Sequence, residues 1–181
     1  MNDKEKALEG YLVAAAKLGD RRAMADLVAL RGAGLQAHAG RLLDDPDAAQ
    51  DVMQDAWIDI FRGLGQLQDV RAFRAWAYRI VSRRCARVIN GRQKARAAAK
   101  VLTQEADPTI PSEACDEALL VRKALAHLSP EHRATIALFY LQDMGVGEVA
   151  VALDIPVGTV KSRLSHARRK LKTLLEGDHN D

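Results

Sequence analysis

The sequence predicts an all-α protein of two small helical domains joined by a flexible linker, the C-terminal one containing a helix-turn-helix. Three observations predict this. Aromatics make up only 4% of the 181 residues and strand formers are sparse, while Ala, Leu, Arg and Asp dominate, a balance that favours helices over sheets. Apolar residues recur at three- and four-residue spacing through most of the chain. That period fails over residues 90–112, where Asp107-Pro108 and Ile110-Pro111 fall, as expected of a linker. With 48% hydrophobic residues the chain can bury one ordinary core or two of roughly 60 to 80 residues each. The break favours two, giving domains at 1–90 and 113–177, a linker at 91–112 and a short tail at 178–181.

In order along the chain, Leu8, Tyr11, Leu12, Ala15 and Leu18 mark a first helix that stops at Gly19-Asp20. Ala23, Leu27 and Leu30 begin a second. Gly32, Gly34 and Gly40 fall where it should continue, each costing roughly 1 kcal/mol relative to Ala, so a kinked or loose stretch is expected. Asp44-Asp45-Pro46-Asp47 is a turn with a capping signal. The helix after it turns Ala48, Val52, Met53, Ala56, Trp57 and Ile60 inward and leaves Asp51, Gln54, Asp55 and Ile58 off the stripe. A fourth helix, over 72–89, is predicted with Phe73, Trp76, Ala77 and Ile80 inward and Arg74, Tyr78, Arg79 and Ser82 on a basic outer face.

Beyond the linker, helical pattern returns at 113–128, and Ser129-Pro130 restarts it as an N-cap followed by proline at the first helical position. Val146, Val149, Ala150 and Leu153 form one short apolar face, Asp154-Ile155-Pro156 breaks it, and a longer helix begins near Pro156. On that helix Val160, Leu164, Ala167, Leu171, Leu174 and Leu175 lie within about 100° of arc. The opposite face carries Ser162, Ser165, His166 and Arg169, flanked by Thr159, Lys161, Arg168 and Lys172, with no acidic residue over 157–175. A helix entering the major groove needs such donors for base edges and cations for phosphates. An ordinary solvated basic face would look the same; the short helix and tight turn before it favour DNA reading.

Charge is segregated. Residues 71–100 carry ten basic and no acidic side chains, and residues 101–118 carry five acidic and no basic ones, within a net formal charge of only +3. Such blocks report on partners. The N-terminus alternates charges without an apolar signal region, and no run approaches the roughly 18 apolar residues of a membrane span. A cytoplasmic protein is therefore expected. Cys85 and Cys115 lie far apart and outside any CxxC pattern, arguing against a disulfide framework or zinc site. The arginines around Cys85 are expected to lower its thiol pKa, although no partner makes it a sensor. The histidines show no ligand spacing, and no nucleophile-base pair, paired carboxylates or phosphate loop stands out. No enzyme, metal or cofactor is expected.

Ile155-Pro156-Val157-Gly158-Thr159-Val160-Lys161-Ser162-Arg163-Leu164-Ser165-His166-Ala167-Arg168 is similar to the promoter-reading segment of extracytoplasmic-function (ECF) sigma factors. Leu128-Ser129-Pro130-Glu131-His132-Arg133 looks like the start of that family's C-terminal domain. Asp51-Val52-Met53-Gln54-Asp55-Ala56 resembles its polymerase-clamp-binding helix, and Ala75-Trp76-Ala77-Tyr78-Arg79-Ile80-Val81 the segment that engages melted promoter. The resemblance implies a protein that performs no covalent chemistry and directs core RNA polymerase to promoter DNA, held inactive by an anti-sigma factor until a signal arrives. It implies polymerase docking by Asp51, Gln54, Asp55 and Ile58. Arg74, Trp76, Tyr78, Arg79, Ser82, Arg83 and Arg87 would recognise and melt the minus-ten element. Thr159, Lys161, Ser162, Arg163, Ser165, His166 and Arg169 would read the minus-thirty-five element.

The family usually has Asn where this chain has Arg83, and Asp or Asn where it has Arg87, so local promoter contacts do not carry over; Arg favours phosphate binding over base reading. Gly32 and Gly34 replace bulkier family residues. Trp76, at the edge of its stripe, reads as core or as a stacking platform; Tyr78, turned outward, is the better platform. The run Arg92, Lys94, Arg96 and Lys100 reads equally as a solvated linker or as a path for the DNA backbone. Two rival functions use the same features. A sigma mimic would bind an anti-sigma factor without reading DNA and would tolerate loss of the basic reading face. A free-standing repressor would dimerise on a palindrome and leave the acidic docking helix without a task.

Overall fold

The computed structural model describes residues 3–99, 125 and 127–177. All regular structure among them is helical. The linker beyond 99, the predicted helix over 113–128 apart from residues 125, 127 and 128, the tail, Lys100 and Cys115 lie outside the described residues.

Helix α1, Asp3–Lys17, ends at Gly19, whose φ of +89° suits glycine. Asp20 then caps α2, Arg21–Leu43, its carboxylate accepting from the backbone N–H of Arg22 at 2.8 Å and Ala23 at 3.2 Å. The helix runs unbroken through all three glycines. No break interrupts it, and Gly34 has a packing reason: a Cβ there would lie 2.7 Å from the Tyr78 hydroxyl and 3.2 Å from Gln142 Oε1. Asp44 closes α2 in the left-handed region, and Asp45 and Pro46 open α3, Pro46–Gly63, as the capping signal predicts. Two 3₁₀ turns, Leu64–Gln66 and Val70–Ala72, lead into α4, Phe73–Ala99.

Helix α4 passes the expected end at Ile89. Residues 91–96 are exposed all round, so no apolar stripe betrays them; the Ala, Arg, Gln and Lys of this stretch continue the helix by propensity. Arg92 also returns to Asp45 at 2.7 Å. Helices α1 to α4 enclose a core in which Leu27, Leu35, Ile60, Phe73, Val81 and Cys85 are fully buried, each large aliphatic or aromatic side chain contributing about 1.5–3 kcal/mol.

The C-terminal half begins with α5, Pro130–Ile136, which continues as a π-helical turn, Ala137–Leu141. Ser129 stands at the N-cap as expected, but its hydroxyl pairs with His132 Nδ1 at 2.7 Å instead of capping. Helices α6, Val146–Leu153, and α7, Val157–Gly177, form the helix-turn-helix, with Asp154 in the left-handed region between them. The two halves do not stand apart. Helix α6 packs along α4 and α5 against α2, and Leu138, Met144, Val149 and Val160 belong to the same connected apolar cluster as Leu27 and Phe73.

The packing of α4 against α2 and against the C-terminal half overturns three orientations read from the α4 period. Tyr78 is 1% exposed, turned toward α2 with its ring edge-on to His38 at 5.2 Å. Ser82 is buried against the same histidine, its hydroxyl 2.8 Å from His38 Nε2. Arg74 is buried under the C-terminal half, donating to the Asp143 carbonyl at 3.2 Å and facing Glu148 at 3.4 Å. The wheel assumed one buried face. In the folded chain α2 and α3 cover one side of α4 and the distant segment around α6 covers another.

Two buried polar arrangements have no local sequence signal. Arg31 pairs with the buried carboxylate of Glu9 and reaches Glu5 at 2.9 Å; burial pushes the Glu9 carboxyl above its usual range, with Arg31 opposing. His38 is fully enclosed, and loss of solvent lowers its pKa to about 3. Burial pushes the Cys85 thiol up to about 12. Desolvation outweighs a backbone hydrogen bond there, leaving an inert thiol.

Candidate nucleic-acid interface

Helix α7 divides as its sequence does. Val160, Leu164 and Ala167 face the core at 0–4% exposure, and Lys161, Ser162, Ser165, His166 and Arg169 are exposed on the other side. Pro156 starts the helix by accepting from the Val160 N–H through its carbonyl. Thr159 and Arg163 are half-buried at the margins; Arg163 lies in the field of Glu131 and His132 on α5. His166 stacks at a tilt on His132, ring centroids 4.9 Å apart. Burial first, then the charge of His166, holds the His132 pKa below its ordinary value. Thus Lys161, Ser162, Ser165 and Arg169 form the open part of the face, with His166 at its edge.

Arg168 has partners that the sequence did not reveal. Its guanidinium lies over the rings of Phe139 and Tyr140, at 5.8 and 5.6 Å, and donates to the Tyr140 hydroxyl at 2.8 Å. The π-helical turn presents both rings to α7. Cation-π and hydrogen bonding together fix a cation beside the reading face.

On α4, Trp76 is half-buried, tilted on Phe73, and packed so close to Gly63 that a Cβ there would meet its ring at 3.0 Å. Arg79 and Arg83 keep 38% and 52% of their side chains exposed, and Arg87 is exposed. With Tyr78 and Ser82 in the interior and Arg74 covered, the accessible part of the predicted melting face is cationic instead of aromatic.

Asp51, Gln54, Asp55 and Ile58 all lie on the exposed side of α3, where the period put them. Arg84, unnoticed in the sequence, crosses from α4 to Asp55 and Asp59, both at 2.6 Å. These pairs brace a shallow cleft between the helices, lined by Asp51, Asp55, Arg84, Arg87 and Arg92. Among the described residues no helix is long and apolar enough to cross a membrane, and no group of three or more His, Cys, Asp or Glu side chains is placed to hold a metal.

Residues 27–95 match the family model described as Sigma-70 region 2, and residues 118–171 match Sigma-70 region 4. Over 168 residues the chain is 30% identical to the ECF RNA polymerase sigma factor SigM of Mycobacterium tuberculosis, an alignment covering 92% of this chain and 84% of that protein. The chain belongs to the ECF family of RNA polymerase sigma factors. The fold of this ECF sigma factor is similar to that of CnrH, solved in complex with the cytosolic domain of CnrY, with a TM-score of 0.67 and 27% identity over 94% of this chain and 99% of that one. It also shares the fold of the sigma factor RpoE of Bartonella quintana, solved with the anti-sigma factor NepR, with a TM-score of 0.65 and 24% identity over 82% and 94% of the two chains. As a sigma factor the chain serves transcription initiation, binding core RNA polymerase and promoter DNA.

Proposed function

We propose that this sigma factor divides its work between its halves. Residues 1–90 dock on core polymerase through the α3 face of Asp51, Gln54, Asp55 and Ile58 and engage the minus-ten element through Trp76, Arg79, Arg83 and Arg87. Arg74 joins them once the C-terminal half moves away. Residues 113–177 read the minus-thirty-five element with Lys161, Ser162, Ser165 and Arg169, while Thr159, Arg163 and His166 fix the margins of that face. An anti-sigma factor, the kind of partner named for the RpoE relative, holds the chain inactive in the cytoplasm. No covalent step is involved; binding energy drives strand separation.

The observation that supports this reading best is α7 itself. Val160, Leu164 and Ala167 are spent on the core, and beyond the exposed Val157 the outward face near its N-terminal end carries the hydroxyls and cations of Lys161, Ser162, Ser165 and Arg169, as major-groove reading requires. Selection of promoter fragments with reconstituted holoenzyme, followed by run-off transcription, tests it. A two-part promoter with initiation dependent on core polymerase is expected, and failure to initiate from any fragment overturns the reading. The covered state of Arg74 lends some support to the alternative of a mimic that binds an anti-sigma factor without reading DNA. A mimic keeps its full activity when Ser165 and Arg169 are both replaced by Ala, whereas a promoter reader loses its upstream preference.

A further inference from the structure

Two histidines that no local spacing links meet where α5 passes beside the reading face of α7. The rings of His132 and His166 lie with centroids 4.9 Å apart and planes 37° from parallel. His132 is half-buried and His166 is exposed. Ser129, at the N-cap position of α5, makes no side-chain cap and spends its hydroxyl on His132 Nδ1 at 2.7 Å. That contact fixes the plane of the His132 ring, and the fixed ring gives His166 a flat surface to rest on. Charged groups face the pair from both helices. Glu131 comes from α5, and Arg163 and Lys170 come from α7, the lysine also donating to the His127 carbonyl at 2.6 Å. Arg169, one turn along α7 from His166, is exposed. Arg133 is turned away to Asp44, and Arg168 to Tyr140.

From this geometry we infer that His132 is a positioning residue for promoter reading: it holds the His166 ring at the edge of the α7 face, where that ring takes up one proton as DNA binds and meets a backbone phosphate as a cation. Two imidazolium rings in contact, with Arg163 and Lys170 beside them, repel one another, so the pair carries a single proton. Burial, and then the charge of His166, keeps that proton off His132. It falls to the exposed ring. A phosphate beside an imidazole favours the charged form, so binding draws in a proton and tightens as pH falls. A ring already held in place also loses less freedom on binding than one free to rotate. The charges of Arg168 and Arg169 are permanent; His166 adds to the same face a cation whose presence depends on pH.

The inference rests on the proposed reading of upstream DNA by α7, and the measurements separate the two. Wild-type and His166→Gln holoenzymes competing for one promoter share the same polymerase, so its own pH dependence cancels. Wild type should gain on the variant by about three- to tenfold between about pH 8 and about pH 6, the size of one imidazole proton taken up at an exposed site. His132→Ala should abolish most of this gain, and His132→Phe, which restores a flat ring without a titrating group, should recover it. A residue that merely stabilises α5 would weaken binding equally at both pH values and leave the gain in place. That result overturns the inference, as does an unchanging ratio of wild type to His166→Gln across the pH range. NMR titration of the free full-length chain reads the pair without DNA: the His132 signals should titrate at higher pH in His166→Gln, and an unmoved midpoint overturns the coupling between the rings. If that NMR shift appears but wild-type holoenzyme binds intact and scrambled upstream elements alike at every pH, it is the reading by α7 that fails, and the histidines remain a ring contact without a role at the promoter.

Discussion

Helices α4 and α7 are both long and basic, and only one of them is what its pattern suggests. On α7 Val160, Leu164 and Ala167 of the apolar stripe are buried and Lys161, Ser162, Ser165 and Arg169 are open, so the two sides read from helical period hold at these positions, while the side chains of Leu174 and Leu175 lie outside the described residues. On α4 the same wheel misplaces Arg74, Tyr78 and Ser82. Periodicity assumes one buried face; it is silent about how many sides other segments cover, here α2 over Tyr78 and Ser82 and a segment about seventy residues away over Arg74. The difference turns on side-chain chemistry. Tyr and Arg carry long apolar stems beneath a polar tip, so each can be covered where Leu would have been recognised as core.

The largest test of that contrast is Tyr78→Ala. A fully buried aromatic should cost about 3–5 kcal/mol in chemical denaturation, whereas a solvent-facing stacking platform would cost almost nothing. A stable variant with impaired promoter opening would restore the outward reading of α4.

Next in size is the pH dependence of the His38–Ser82 contact. The folded pKa of about 3 lies below the unfolded value, so in the window from roughly 6.5 down to 3 the unfolded chain takes up a proton that the folded chain refuses. Stability should be fully retained above that window and fall as pH drops through it, by about 1 kcal/mol per pH unit. His38→Gln should flatten this slope in urea melts, and an unchanged slope would mean that the histidine is not enclosed between α2 and α4.

Smaller effects separate reading from holding. Arg169→Ala and Ser165→Ala should each change which minus-thirty-five sequence is preferred, by about 1–3 kcal/mol of discrimination in competition binding of holoenzyme. Uniform weakening on every sequence would reduce α7 to a phosphate-binding helix. Smallest is Arg92→Ala, expected to weaken holoenzyme binding alike on all promoters by under about 1 kcal/mol and to lower the salt slope by about one. A change of preference there would move sequence reading onto α4.

Much of the fold was legible because local rules govern it. Gly19-Asp20 announced the end of α1, Asp45 and Pro46 the start of α3, and α6, the turn at Asp154 and α7 followed from apolar spacing and a proline. The exposed side of α3, with Asp51, Gln54, Asp55 and Ile58, was legible for the same reason. The unread features are those in which two distant segments share one property. The Glu9–Arg31 pair, Arg84 between Asp55 and Asp59, and Arg168 against Phe139 and Tyr140 join residues from 22 to 29 positions apart, and no local spacing rule links them. Gly34 counted as a flaw in a helix when weighed by propensity; it is the place where α2 admits a tyrosine from α4 and a glutamine from the C-terminal half. Arg83, a departure from the family pattern in sequence, has its partner in Asp154.

The shared apolar cluster, with Gly34 against Gln142 and Asp44 against Arg133 at its margins, bears on how such proteins are re-engineered. Promoter specificity invites construction of hybrids in which one sigma factor's upstream-reading half is grafted onto another's polymerase-binding half. In this chain the graft line runs through a packed seam and not through an inert joint. A donor half lacking a side chain that fits over Gly34, or an arginine for Asp44, would alter how readily the hybrid stays closed, and with it the dose at which it switches genes on, even if both parent specificities survived intact.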